Sequence, residues 1–106
     1  YVEVKNVHWK RGLNAAFPSA VTARGAKHMK ELADMARQGY KAYVLYIVQR
    51  NDCKGFELAA DVDPIYAKAA TEAFSQGVRP LVYACKVTPE EIILSESLDY
   101  SGRLYE

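Results

Sequence analysis

The segment Tyr1-Val-Glu-Val-Lys-Asn-Val7 organises the rest of this chain of 106 residues. Because side chains of a β-strand alternate between the two faces of a sheet, we expect Glu3 and Lys5 to lie together on one face. Their Cα atoms are about 7 Å apart in an extended strand, so a carboxylate and an ammonium can reach one metal ion and one phosphate. A solvated pair on an ordinary edge strand is the alternative interpretation, because Glu-x-Lys is a common tripeptide.

Length and composition indicate a single soluble globular domain. Half of the residues are apolar and a quarter are charged, which is typical of folded proteins. No apolar run approaches the roughly 20 residues that a membrane-spanning helix needs, so no membrane partner is expected. The two cysteines are too few for a disulfide framework or a zinc site, and a cytoplasmic location is expected. The chain has no initiator Met and starts within a strand, so we expect it to be a fragment of a longer protein.

Charge is distributed unevenly along the chain, although the net charge is only +1. Residues 1–30 hold six Lys or Arg and one acid, residues 31–88 hold seven of each sign, and residues 89–106 hold one Arg and five acids. The three segments therefore carry net charges of +5, 0 and −4. A basic first segment favours a surface for polyanions, whereas attraction between the two ends within the fold is an equally good interpretation.

Capping residues and apolar patterns predict the order strand, helix, strand, helix, strand, strand. The predicted elements are a strand over 1–7, a helix from an N-cap at Ser19 to a stop at Gly39, a strand over 41–49, a helix from Asp63 to Gly77, a strand over 78–87, a turn over 88–91 and a strand over 92–94. Residues 8–14 and 56–62 are predicted to be loop or irregular. The apolar run over 41–49 is typical of a central strand that is covered on both faces.

The first predicted helix has an apolar stripe that contains a histidine. At 100° per residue, six residues fall within about a third of the circumference: Val21, Gly25, His28, Leu32, Met35 and Ala36. Gly25 costs about 1 kcal/mol of helix propensity relative to Ala, so we expect its backbone to approach the sheet or a ligand closely. Arg24 flanks the stripe.

Several segments are similar to the SfsA family, the sugar fermentation stimulation proteins. The most specific is Phe17-Pro-Ser-Ala-Val-Thr-Ala-Arg-Gly-Ala-Lys-His28, with its Thr-x-Arg-Gly-x-Lys-His run. The other matching segments are Gln38-Gly-Tyr-Lys-Ala42, Val48-Gln-Arg50, Asp63-Pro-Ile-Tyr-Ala67, Gly77-Val78 and Val82-Tyr-Ala84. With the Glu-x-Lys strand, they resemble the second half of a PD-(D/E)xK nuclease core and cover the chain to about Leu94.

This resemblance implies an α/β domain of restriction-endonuclease-like fold, which is a three-layer core with a mixed central sheet and helices on both faces. It implies that residues 1–106 are the C-terminal, nuclease-like domain, which follows an OB-like domain in family members. Residues 95–106 are weakly patterned and are predicted to be a flexible tail. Family members are associated with DNA binding and with regulation of sugar metabolism.

The resemblance also implies a set of site residues. Glu3 and Lys5 occupy the catalytic positions, with Glu3 as a ligand of Mg²⁺ or Mn²⁺. In such cores two carboxylates fix the metal, the metal activates water, and the Lys orients that water or stabilises negative charge. The second acid belongs to a strand that would precede Tyr1, so we expect weak metal binding and no catalysis by this fragment. The predicted phosphate or DNA contacts are Thr22, Arg24, Lys27, His28, Gln49 and Arg50.

Each predicted contact also has a structural interpretation. Thr22 can satisfy the first helical turn, Arg24 can form a surface salt bridge, and His28 can be a satisfied core histidine. Gln49 and Arg50 can form a solvated strand end. Three functions therefore stay open: a DNA-binding module with weak sequence preference, a metal-dependent nuclease whose intact form restores the missing acid, and a non-enzymatic regulatory or interaction domain.

Overall fold

A computed structural model describes residues 1–87, 92–97 and 99–101, with side chains over residues 1–85. These residues form an α/β fold with eight strands and two helices. In chain order they are β1 (Val2–Val7), β2 (Trp9–Arg11), β3 (Asn14–Phe17), α1 (Ala23–Arg37), β4 (Tyr43–Val48), β5 (Gly55–Leu58), α2 (Pro64–Ser75), β6 (Arg79–Val87), β7 (Ile92–Ser97) and β8 (Asp99–Ser101). Neither helix is long and apolar enough to cross a membrane.

The first sheet has the strand order β1-β4-β6-β7, which places β1 at one edge. The pairs β1–β4 and β4–β6 are parallel, and β6–β7 is antiparallel, so the sheet is mixed as predicted. The predicted return of the chain beside β6 is confirmed, and the returning strand extends to Ser97. The predicted turn over 88–91 lies outside the described residues.

Both helices pack on the same face of this sheet. Lys5 of β1 and Tyr46 of β4 are register partners, so their side chains point to the same side. Lys5 contacts His28 of α1, and Tyr46 contacts Tyr66 of α2. The expected helix on the opposite face is therefore absent from the part of the chain that the structure describes. The prediction was based on the apolar run of β4, which is typical of a strand covered on both faces. In the structure every second residue of β4 is only half-buried, so one face of the strand is not covered by a helix.

A second sheet, with the strand order β2-β3-β5-β8, was not predicted. The predicted loop over 8–14 instead contains β2 and the start of β3, which pair antiparallel around Gly12 at φ +65°. The predicted irregular segment over 56–62 contains most of β5, which pairs with β3. Within the segment predicted to be a flexible tail, residues 99–101 form β8, which pairs with β5, and residues 102–106 lie outside the described part. Strands of three or four residues are too short to show an alternating pattern.

The start of α1 differs from the prediction because a contact distant in sequence fixes it. Thr22, not Ser19, is the N-cap, and its hydroxyl oxygen accepts a hydrogen bond from the Gly25 N–H at 3.0 Å. The Thr22 N–H donates in turn to the carboxylate of Asp63 at 2.7 Å. Asp63 also caps α2 as predicted, accepting from the Tyr66 N–H at 3.0 Å. One buried carboxylate therefore holds the starts of both helices.

The buried side of α1 is rotated relative to the predicted stripe. Its buried residues are Gly25, Ala26, Met29, Leu32 and Ala33. Val21 lies outside the helix and is exposed. Because α1 packs against α2 as well as the sheet, small residues on its α2-facing side are buried too. His28 consequently lies at the border of the buried side and not at its centre.

Replacing Gly25 with Ala is expected to destabilise the protein by about 1–2 kcal/mol. A Cβ at this position would lie 2.9–3.0 Å from the Thr22 side chain and 3.0 Å from the Tyr66 ring. Crowding and a weakened cap together lower the free energy of unfolding by about 2–3 kcal/mol, and the higher helix propensity of Ala raises it by about 1 kcal/mol. Urea unfolding measures the change, with Lys30→Ala on the exposed side of α1 as control. An unchanged or raised free energy of unfolding would contradict the close approach.

Candidate functional site

Glu3, Lys5 and His28 meet at the edge of the first sheet. The Lys5 Nζ atom lies 3.1 Å from His28 Nδ1, and the same ring nitrogen lies 3.0 Å from Glu3 Oε1. Lys5 Nζ is 3.6 Å from that carboxylate oxygen, so the two residues that were expected on one face of β1 form an ion pair there. The Lys5 side chain is only 13% exposed, whereas Glu3 is 33% exposed. The ammonium is therefore partly shielded from solvent.

The tautomer of His28 decides which charged neighbour its Nδ1 atom binds. A ring nitrogen either accepts through its lone pair or donates an N–H, so Nδ1 cannot accept from Lys5 while it donates to Glu3. The Lys5 ammonium has three donors, and among the described side chains only His28 Nδ1 lies within hydrogen-bond distance, since Glu3 Oε1 at 3.6 Å forms an ion pair without a hydrogen bond. N–H groups of Lys5 therefore remain available for an anion.

Two further cations stand on the exposed side of α1 near this cluster. Arg24 precedes His28 by four residues, so the two side chains lie one above the other on the helix. Lys27 is one turn after Arg24, and both are exposed. No ion pair joins either of them to a side chain within residues 1–85, and the first turn of α1 contains no acid. Their charges are therefore directed to solvent.

A cavity of about 340 Å³ lies on the other side of Glu3. Its lining residues are Tyr1, Val2, Glu3, His28, Glu31, Leu32 and Met35. The cavity brings the end of α1 to the start of β1, so the helix runs antiparallel to the strand. Glu31 is a residue that the sequence analysis missed, although its position three residues after His28 places both on one side of the helix.

The described residues do not form a complete metal site. No group of three or more His, Cys, Asp or Glu able to hold a metal occurs among them. Mg²⁺ and Ca²⁺ need six or more oxygen ligands, of which Glu3 supplies at most two. The Lys5 ammonium at 3.6 Å also competes with a cation for that carboxylate. These residues alone therefore do not fit the expected Mg²⁺ or Mn²⁺.

Gln49 and Arg50, at the end of β4, already have partners within the protein. Gln49 Nε2 donates to Asn6 Oδ1 at 2.9 Å and so connects the ends of β4 and β1. Arg50 donates to both carboxylate oxygens of Asp52, at 2.9 and 2.7 Å. The guanidinium holds the pKa of Asp52 well below its usual range. The charge of Arg50 is therefore largely compensated.

The basic first segment of the chain divides into two sets of cations. Lys10 lies 3.5 Å from Asp52, and Arg11 binds Glu57 at 2.7 Å and Asp61 at 2.8 Å. These hydrogen bonds raise the pKa of Arg11, chiefly through Glu57. Acids from the middle of the chain thus neutralise this first set, while the second set lies on the α1 side and consists of Lys5, Arg24, Lys27 and Lys30. In the second set Lys5 is paired with Glu3 at 3.6 Å, whereas the other three cations form no ion pair with a side chain within residues 1–85 and are exposed to solvent.

Comparisons with known proteins agree with this fold. A family model described as the sugar fermentation stimulation protein RE domain matches residues 1–91. The sugar fermentation stimulation protein homolog of Paramagnetospirillum magneticum is 51% identical over 98 residues, which are 92% of this chain and 42% of that protein. The homolog of Rhodospirillum centenum is 50% identical over 103 residues, or 96% of this chain and 44% of that protein.

A solved structure is also similar. Pyrococcus furiosus SfsA in complex with Ca²⁺ superimposes with a TM-score of 0.88 and 29% sequence identity, covering 94% of this chain and 44% of that chain. The chain therefore spans less than half the length of each of these relatives. The resemblance seen in the Thr-x-Arg-Gly-x-Lys-His run is confirmed, and the chain belongs to the SfsA family of sugar fermentation stimulation proteins.

Proposed function

We propose that this chain binds DNA through phosphate contacts centred on Lys5. The observation that supports this most strongly is the partly buried Lys5 ammonium, which lies 3.1 Å from His28 Nδ1 and keeps N–H groups available for an anion. Partial burial reduces solvent screening of the charge and fixes its position, so a phosphate oxygen gains a directed, charge-assisted hydrogen bond. Arg24 and Lys27 add two exposed cations along α1.

The proposed contacts carry no information about base sequence. Lys5, Arg24 and Lys27 are cations that bind phosphate oxygens, and such contacts set position and affinity without reading base edges. Weak sequence preference is therefore part of the proposal. Thr22, Gln49 and Arg50 remain predicted flanking contacts, each with a partner already inside the protein.

The salt dependence of DNA binding tests this proposal. Three phosphate contacts predict a slope of about −2.7 for log K against log salt. Changing both Arg24 and Lys27 to Gln should reduce the magnitude of the slope by about 1.8, because fewer counterions are released from the DNA when two phosphate contacts are lost. Fluorescence anisotropy of a labelled duplex measures the slope. Lys68→Gln, an exposed lysine on α2, is the matched control and should leave the slope unchanged. A flat salt response in the unmodified protein would exclude the proposal.

A metal-dependent nuclease in the longer relatives is the second candidate. Two observations favour it: Glu3 and Lys5 share one face of β1, and the solved SfsA from Pyrococcus furiosus is a complex with Ca²⁺. In that function the rest of the protein would add the carboxylates that complete a metal site with Glu3. Incubation of supercoiled plasmid with the intact Paramagnetospirillum relative and Mn²⁺ should give nicked DNA, and the change matching Glu3→Ala should prevent it. Intact plasmid beside an active control nuclease would exclude this function.

A further inference from the structure

We propose that a cavity at the end of β1 holds one unpaired nucleobase of the bound DNA strand. This inference rests on the proposed DNA binding and names the form of DNA that the site takes. The cavity has a volume of about 310 Å³ and lies among Asn6, Trp9, Ala16, Phe17 and Ser19. Its size is at the lower end of the range for small-ligand sites in proteins, which suits a single planar ring system.

Two aromatic side chains provide a surface on which a base can stack. Trp9 and Phe17 both line it and are half-buried, so their rings contribute apolar surface without being enclosed in the core. Ala16 is the register partner of Trp9 in the β2–β3 pair, and its small side chain leaves space beside the indole. Bases released from a stack bind proteins chiefly by stacking on such rings, which is tolerant of base identity.

Neighbouring residues hold both rings in place. The Arg11 guanidinium lies 5.0 Å from the centroid of the Trp9 ring, and two carboxylates fix that guanidinium. The Phe17 ring packs against two buried tyrosines, with its centroid 5.3 Å from Tyr66 and 5.6 Å from Tyr46. Little side-chain freedom is therefore lost when a base enters, which favours affinity. Arg11 is a positioning residue in this site, because it acts through Trp9.

Polar groups at the cavity can contact the edge of a base. Asn6 Oδ1 accepts from Gln49 Nε2 at 2.9 Å, which orients the Asn6 amide and leaves its NH₂ group as a donor. Ser19 adds an exposed hydroxyl, which both donates and accepts. A mostly apolar cavity with a few oriented polar groups is the usual composition of a small-ligand site.

The location connects the cavity to the phosphate contacts. Val7 lines the cavity and is two residues after Lys5 on the same strand, a distance of about 7 Å. Because α1 runs antiparallel to β1, Arg24 near the start of the helix is on the cavity side of His28. Trp9 is four residues after Lys5, or about 13 Å of extended chain, so a strand whose phosphate binds Lys5 can place a base one or two nucleotides further along at Trp9. Bases of an intact duplex are stacked and cannot enter, so the site selects single-stranded or opened DNA.

Trp9 reports on this site because it is the only tryptophan of the chain. Its fluorescence is measured during titration with single-stranded oligothymidylate of about eight nucleotides, a blunt duplex of the same length, and inorganic phosphate. We expect the single strand to quench Trp9, since stacking on the indole changes its emission, and neither duplex nor phosphate to do so. The inference would be overturned if the duplex quenched Trp9 fluorescence as strongly as the single strand. It would also be overturned if the single strand bound without quenching Trp9 fluorescence.

Two variants separate this site from the phosphate contacts. Trp9→Ala should weaken single-strand binding roughly 5- to 100-fold and leave duplex affinity within about twofold. Ser19→Tyr, at an exposed position, fills the cavity without disturbing the core and should have the same selective effect. Anisotropy measures both affinities, and the melting temperature checks folding. If both variants bind the single strand normally while Lys5→Gln weakens binding, the base site fails and the proposed function stands. If no DNA binds at all, both fail.

Discussion

Replacing Asp63 with Ala is expected to lower the free energy of unfolding by about 3 kcal/mol. The carboxylate is 2% exposed and accepts two backbone hydrogen bonds, from Thr22 at 2.7 Å and from Tyr66 at 3.0 Å. Loss of the α2 cap costs about 1 kcal/mol. The Thr22 N–H then lacks its partner in a half-buried position, which costs a further 1–3 kcal/mol. Urea unfolding followed by circular dichroism measures the total.

Two companion variants show whether the hydrogen bonds cause this loss. Asp63→Asn keeps one acceptor oxygen in nearly the same shape, so it should cost about half as much as the Ala variant. Glu72→Ala removes an exposed acid from α2 and should change stability by less than about 0.5 kcal/mol. If Asp63→Ala is no worse than Glu72→Ala, the carboxylate does not hold the two helices as the geometry indicates.

Asp63 also illustrates what the sequence could and could not predict. The cap itself was predictable, because an Asp before a Pro at the first helical position is a local signal. The bond from Asp63 to Thr22 spans 41 residues and moves the start of α1 from the predicted Ser19 to Thr22. Local patterns contain no information about a partner that the fold brings from elsewhere, and tertiary contacts override them.

Some features of the candidate site could also be predicted from the sequence, and others could not. The common face of Glu3 and Lys5 follows from strand alternation and was predicted. His28 was expected near them, and its Nδ1 lies 3.0 Å from Glu3 and 3.1 Å from Lys5. The predicted stripe did not place it correctly on the helix, because packing of α1 against α2 leaves His28 at the border of the buried side. The neutralisation of Arg11 by Glu57 and Asp61 depends on pairs 46 and 50 residues apart. Sequence alone therefore could not separate compensated cations from available ones.

The second sheet was missed for a different reason. Its strands have three or four residues each, so the periodicity that identifies a strand has no room to appear. This omission concealed the cavity beside Trp9, since Trp9 and Ala16 become neighbours only when β2 and β3 pair. In the sequence, Trp9 belongs to a predicted loop.

Exchanging Lys5 and Glu3 separately for Gln should shift DNA affinity in opposite directions. Lys5→Gln removes a charge-assisted hydrogen bond to phosphate and should weaken duplex binding about tenfold, which corresponds to about 1.4 kcal/mol. Glu3→Gln removes a carboxylate 3.6 Å from the Lys5 ammonium and should tighten binding about threefold, because phosphate no longer meets a like charge. Anisotropy at low salt measures both affinities, with Lys68→Gln as control.

The direction of the Glu3→Gln effect separates the phosphate role from a structural one. If Glu3 served only to hold Lys5 in place, its loss would loosen the ammonium and both variants would weaken binding. Because His28 Nδ1 lies 3.1 Å from Lys5 Nζ, the ammonium keeps a fixed neighbour in Glu3→Gln, and the repulsion of phosphate is what changes. In a metal-dependent function Glu3 would help to hold the cation, which would supply positive charge for the phosphate, so added Mn²⁺ would tighten DNA binding through Glu3. Tightening by Mn²⁺ that disappears in Glu3→Gln would favour the metal-dependent function over phosphate binding alone.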